Sequence, residues 1–292
     1  GVYYWYGENK EKTTGDNNIW HWGVRCYAST DLYNWEDKGI IIPPVPDDLR
    51  SSLHPSSQMD RPHIIYNKET QKFVCWLKIM HKDGSQTVTV LTAEHILGPY
   101  EKVRENLRPL NMNAGDFDLV VADDGKAYYY FERVHSETIC ADLTADYTDV
   151  TGYYSTHFPH PYPPYVREAT AHFYRNGKHY LATSGTTGYL PNPSEIAVAD
   201  TWHGPYRVLG DLHQSVIFCG QFIHAILFCS LLLRLLSFDF SLRIFLAQAG
   251  QYLDAPEPGT YSTPHTVQFL AGIAAHRFVG MICNSSTKPM NL

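Results

Sequence analysis

Apolar and polar positions alternate with a period of two in four short stretches of this chain: Gly1–Glu8 (GVYYWYGE), Thr70–Lys78 (TQKFVCWLK), Asp124–Glu132 (DGKAYYYFE) and Asn176–Gly185 (NGKHYLATSG). That period is the signature of a β-strand, and Asp-Gly or Asn-Gly ahead of the last two supplies the positive-φ residues of a tight hairpin turn. A second apolar element follows each at a similar distance: Arg25–Gly39, Val90–Val103, Ile139–Gly152 and Ile196–Gly210. The turn lysines are 54 residues apart from Lys72 to Lys126 and 52 from Lys126 to Lys178, which is room for one four-stranded antiparallel sheet plus loops. Radial repetition of such sheets predicts a β-propeller.

The repeat carries chemistry. Asp116 lies ten residues before Lys126, Glu168 ten before Lys178 and Asp60 twelve before Lys72. The innermost strands of a propeller meet at its axis, so equivalent positions predict a cluster of carboxylates at one mouth of the central channel. Asp118, two residues from Asp116 and on the same face by period, is an alternative to it. The first unit begins at its turn, so its inner strand and any acid on it are expected before Gly1.

Composition narrows the class. Aromatic residues make 14% of the 292-residue chain and charged residues 18%, a balance of strand-rich proteins with aromatic-lined clefts. The net charge of −7 argues against nucleic acid as a partner. The six cysteines have neither zinc-site spacing nor disulfide-scaffold density and read as buried thiols. The fifteen histidines lack metal-ligand spacing, so neither a metal nor another cofactor is expected.

Clustered carboxyls suit hydrolysis of a glycosidic bond. That reaction needs a proton donor for the leaving oxygen and a group that activates water or attacks carbon, and a third carboxylate can keep the donor protonated. Tyr3, Trp5, Trp20, Trp22, Tyr162 and Tyr165 offer rings that stack on sugars. Arg61 and Arg167 adjoin two of the acids, Glu8 ends an aromatic strand, and Thr186 and Thr187 lie in the glycine-flexed loop after Ser184. All five are expected to bind substrate or orient a carboxylate.

Together the segments Gly1–Lys10, Tyr27–Glu36, Met59–Asn67, Gly115–Glu132, Arg167–Tyr189 and His203–Tyr206 resemble glycoside hydrolase family 43, in particular the branch of exo-β-1,3-galactanases. The resemblance covers residues 1–214 and implies an all-β, five-bladed propeller that inverts configuration. It implies Glu168 as general acid, Asp116 as the acid that sets its protonation, and substrate contacts from Glu8 and Asp60. In that branch Asp60 stands where Glu is usual, and the water-activating residue, expected from the first inner strand or the fifth blade, is unassigned. The expected substrate is an oligo- or polysaccharide of galactan, arabinan or xylan type, which implies a secreted, monomeric enzyme. The alternative is a catalytically inactive carbohydrate-binding propeller.

Residues 1–214, with 27 acids against 19 bases, form the expected catalytic domain of four recognisable blades, the first truncated. Residues 215–292, with three acids against four bases, read as an atypical apolar tail. It is either a degenerate fifth blade or the product of a shifted frame or unspliced segment. The apolar run around Phe222–Phe238 is long enough for a membrane span, but Arg234 at its middle argues against one.

Overall fold

A computed structural model describes residues 1–160, 162–188, 190–192 and 194–211. The expected fifth blade and the tail of residues 215–292 lie outside the described residues, as do Cys219, Cys229 and Cys283. Among the described residues no helix is long and apolar enough to cross a membrane.

The described chain is all-β, built as four antiparallel sheets in sequence order. The first holds β1 (Tyr3–Glu8), β2 (Val24–Ser29) and β3 (Glu36–Ile42). The second holds β4 (Gln58–Asn67), β5 (Lys72–Met80), β6 (Gln86–Ala93) and β7 (Glu101–Leu107). The third holds β8 (Ala114–Val121), β9 (Ala127–Arg133), β10 (Glu137–Leu143) and β11 (Val150–His157). The fourth holds β12 (Arg167–Arg175), β13 (Lys178–Gly185), β14 (Glu195–Ala199) and β15 (Arg207–Asp211). Each is a meander whose strands pair in chain order. The four aromatic repeats are β1, β5, β9 and β13, so β1 corresponds to the second strand of the later blades and the first sheet has three strands.

β4, β8 and β12 pack side by side in sequence order, and β1 packs against β4, which is the radial arrangement of a propeller. Period-two alternation explains the packing between blades. In β5, Val74 and Trp76 enter a core with Phe117, Leu119, Tyr129 and Phe131 of the third blade. The intervening Cys75, Leu77 and Ile79 enter a core with Tyr6, Val24, Ile41 and Ile42 of the first. β9 repeats the division: Tyr129 and Phe131 face the second blade, and Tyr128 and Tyr130 face Leu181, Trp202 and Tyr206 of the fourth. Both faces of a central blade are therefore buried, which is why its second strand is aromatic at consecutive positions. Burying each such ring contributes about 1.5–3 kcal/mol. Cys26, Cys75 and Cys140 are buried free thiols within these seams.

Candidate active site

Each inner strand is irregular at its acid. Register shifts fall between Asp60 and His63 in β4, Ala114 and Phe117 in β8, and Glu168 and Ala171 in β12. A bulge inserts an extra residue and re-aims the side chains beside it. In β4 and β12 the residue after the acid takes up the turn in the left-handed region, Arg61 at φ 53° and Ala169 at φ 51°. Only glycine adopts that conformation without cost, so the site stores local strain.

Asp116, 7% exposed, meets two cations of the second blade. Lys78 Nζ donates to its Oδ1 at 2.9 Å, and Arg61 Nη2 pairs with its Oδ2. Glu168 faces this group. Burial, then the charges of Asp116 and Glu132, push its carboxyl up to about 8, against the opposing pull of Arg61 and Lys78. A carboxyl raised this far favours its neutral form at pH 7, the form able to donate a proton.

A second carboxyl pair lies beside these. Trp20 Nε1 donates to Asp60 Oδ1 at 3.0 Å, and Lys10 Nζ pairs with Glu8 Oε2 at 2.9 Å. Burial, then the neighbouring Asp60, pushes Glu8 up to about 8. Lys10 also covers the Trp20 ring at 4.3 Å, and Lys12 the Trp22 ring at 3.5 Å. Trp20 thus supports both Asp60 and Lys10, while Trp5 packs on Tyr27 and Trp35. Tyr162 and Tyr165 are exposed, their ring centroids 5.9 Å apart, on the approach to β12.

The structure thus brings together Glu8, Asp60, Arg61, Asp116 and Glu168. It directs three other expected substrate contacts elsewhere. Arg167 is buried, and its Nε and Nη2 both donate to Thr183, at 3.0 Å each, within its own blade. Thr187 Oγ1 donates to the carbonyl of Leu190 and accepts from Asn192 Nδ2. Thr186 is buried, its Oγ1 3.4 Å from the carbonyl of Val166. Asp118, the alternative to Asp116, is 1% exposed and accepts the His172 N–H at 2.7 Å, tying β8 to β12. The bulge in β8 separates these two acids despite their spacing.

Lys78 and Glu132 take part in the cluster without having been singled out in the sequence. Glu132, 3% exposed, accepts the backbone N–H of His135 at 2.8 Å. The signal was there: both residues lie six positions after a turn lysine, at the end of the aromatic repeat. Among the described residues no group of three or more His, Cys, Asp or Glu side chains is placed to hold a metal ion. A cavity of about 610 Å³ lies between the outer parts of the third and fourth blades, lined by residues such as Tyr153, His157 and His203, and contains none of these acids.

Comparison with known proteins supplies the lineage. The profile of glycosyl hydrolases family 43 matches residues 1–213. Among solved structures, a family-43 β-1,3-galactosidase is 29% identical, with a TM-score of 0.63 over 72% of this chain and 43% of its own. An exo-β-1,3-galactanase from Phanerochaete chrysosporium, solved with β-1,3-galactotriose, is 25% identical, with a TM-score of 0.62 over 72% and 47%. One from Clostridium thermocellum is 27% identical, with a TM-score of 0.61 over 72% and 46%. This chain spans less than half the length of each of these three. No curated protein matches it in sequence.

Proposed function

The chain belongs to glycosyl hydrolases family 43, and from that premise we propose that it is a glycosidase cleaving O-glycosidic bonds in plant-type polysaccharides, with β-1,3-linked galactan the first substrate to test. The galactan preference rests on its likeness to a β-1,3-galactosidase and to exo-β-1,3-galactanases.

The observation that carries the reading is the protonation of Glu168. A carboxyl held near 8 by burial and by Asp116 and Glu132 can donate to a leaving glycosidic oxygen at neutral pH. Asp116, held by Arg61 and Lys78, is the carboxylate that orients this acid and sets its titration. Glu8 and Asp60 accept hydrogen bonds from sugar hydroxyls, with Tyr162 and Tyr165 stacking farther out. The propeller has five blades, and the water-activating group comes from outside the described residues. Attack then proceeds with inversion, as the family resemblance implies.

Glu168→Gln tests the assignment. Turnover of β-1,3-galactooligosaccharides should fall about 10²–10⁴-fold while binding persists, and unchanged turnover would refute it. Proton NMR of the first-formed anomer reads inversion directly.

The competing reading is a catalytically silent carbohydrate-binding propeller. Calorimetric binding of galactan oligosaccharides without reducing-sugar release would select it.

A further inference from the structure

The alternation that assembles the blades also assigns a partner to each inner-strand acid. In β1 the even positions face the second blade, where Tyr6 Oη accepts the backbone N–H of Ile64 at 2.9 Å. Glu8, next but one on that face, lies against Asp60. In β5 the even positions Val74 and Trp76 face the third blade, and Lys78 continues them onto Asp116 at 2.9 Å. In β9 the even positions Tyr128 and Tyr130 face the fourth blade, where Tyr130 stacks on His172 of β12 with ring centroids 5.3 Å apart. Glu132 is the next even position, β9 packs against β12, and Glu168 feels its charge. Three times over, a charged residue at or near the end of a second strand faces the acid of the next blade's inner strand.

The charges make this arrangement consequential. Asp116 is the carboxylate nearest in kind to a proton-holding neighbour for Glu168, yet Arg61 and Lys78 both pair with it. Those three groups sum to a positive charge, which offsets part of the rise that burial and the Asp116 charge give the Glu168 carboxyl. The groups facing Glu168 are Asp116 from β8, Arg61 from β4, Lys78 from β5 and Glu132 from β9. Burial raises the Glu132 carboxyl too, with Asp116 adding to the rise, while the His135 N–H, the His135 ring and Lys78 pull toward its ionised form. Its one ion-pair contact among the described residues is the imidazole of His135, Nδ1 to Oε1 at 3.3 Å, and that ring is largely exposed. Its other oxygen lies over Gly115, where a Cβ would come within 2.4 Å of Oε2. A glycine before Asp116 is what leaves room for this carboxyl.

We propose that Glu132 is a positioning residue whose carboxylate holds the proton on Glu168, supplying the negative charge that Arg61 and Lys78 cancel on Asp116. The proposal rests on the reading of Glu168 as general acid and adds a second carboxylate, beside Asp116, to the device that keeps it loaded. Lys78 performs the converse task one blade earlier, holding Asp116 ionised.

Glu132→Gln in the full chain tests it, because the amide keeps the acceptor for His135 and removes the charge. Two readouts are needed: the alkaline limb of kcat/KM on β-1,3-galactooligosaccharides, and the ¹³C titration of the Glu168 carboxyl. Both midpoints should move down by about one pH unit. An unmoved midpoint, with only a lower Tm or a uniformly lower kcat, overturns the proposal and leaves Glu132 a structural residue. If the amide variant does not fold, Glu132→Asp withdraws the charge by one methylene and must lower the midpoint by a smaller amount; no movement there is equally fatal. The titration separates this proposal from the functional one. A wild type without hydrolytic activity sinks the glycosidase reading, yet Glu168 still reports whether Glu132 controls its proton.

Discussion

Lys78 Nζ donates to Asp116 Oδ1 at 2.9 Å across the seam between the second and third blades, joining residues 38 apart in sequence. Both side chains are buried, and Arg61 closes the other oxygen of the same carboxylate. A buried carboxylate with two cationic partners is stable as an ion, whereas Glu168 nearby is stable as the neutral acid. Burial and the two cations thus push these two carboxyls toward opposite protonation states, the division that the proposed acid role of Glu168 needs.

Removing Lys78 leaves the buried Asp116 with Arg61 as its remaining cationic partner and one carboxylate oxygen without its donor. Lys78→Met should destabilise the protein by about 1–3 kcal/mol, measured by urea unfolding. It should also move the alkaline limb of activity upward, because Asp116 then repels the ionised Glu168 more strongly. A downward movement would mean that Lys78 does not act on the acid through Asp116.

Stability should fall as pH rises from about 6.5 to about 8. Glu168, Glu8 and Asp118 are each pushed up to about 8 by burial, above their ordinary 4.5, 4.5 and 3.8. In that window the native chain keeps protons that the unfolded chain has released, so the unfolded state gains as pH rises. Below about 6.5 the trend levels off, because buried His21, His63 and His172 are lowered to about 4, 3 and 3 and the three protons that the unfolded chain binds there offset the three kept by the native carboxyls. Glu168→Gln should flatten the upper slope by at most about 1.4 kcal/mol per pH unit. Thermal melts of both proteins at pH 6.5, 7.25 and 8 measure it.

Asp118 and Asp116 should separate cleanly on substitution. Asp118→Ala removes the acceptor of the His172 N–H and should cost about 1–3 kcal/mol, with turnover per folded molecule retained. Asp118→Asn keeps an acceptor and should cost less. A loss of turnover comparable to that of Glu168→Gln in a folded Asp118→Asn would transfer the catalytic role to Asp118.

Gly115→Ala should displace Glu132, since the new methyl meets Glu132 Oε2 at 2.4 Å. Overpacking of this kind costs about 1–3 kcal/mol. Its pH profile should shift in the same direction as that of Glu132→Gln. Unaltered stability and an unaltered profile together would show that the carboxyl is not seated over this glycine.

Much of the fold was legible from the chain. The turn lysines and aromatic runs marked β1, β5, β9 and β13, and the offsets of Asp60, Asp116 and Glu168 marked the inner strands. These are local properties: turn chemistry and a period of two do not depend on what lies opposite. The same rule misled for Asp118, because a bulge between Ala114 and Phe117 breaks the phase that would have kept it beside Asp116. It also overlooked Lys78 and Glu132, which close the very repeats that were recognised, because a charged residue ending a strand reads as solvated until a neighbouring blade covers it.

What the sequence alone determined, then, is the repeat: which segments are strands, how they meander and which acids occupy equivalent places. Tertiary structure decided the chemistry of those acids. Protonation is set by burial and by charges a few ångströms away, and those neighbours come from other blades, dozens of residues distant along the chain. A linear pattern can count carboxylates at an axis; only the packed seams determine that Asp116 is clamped by Arg61 and Lys78 while Glu168 keeps its proton.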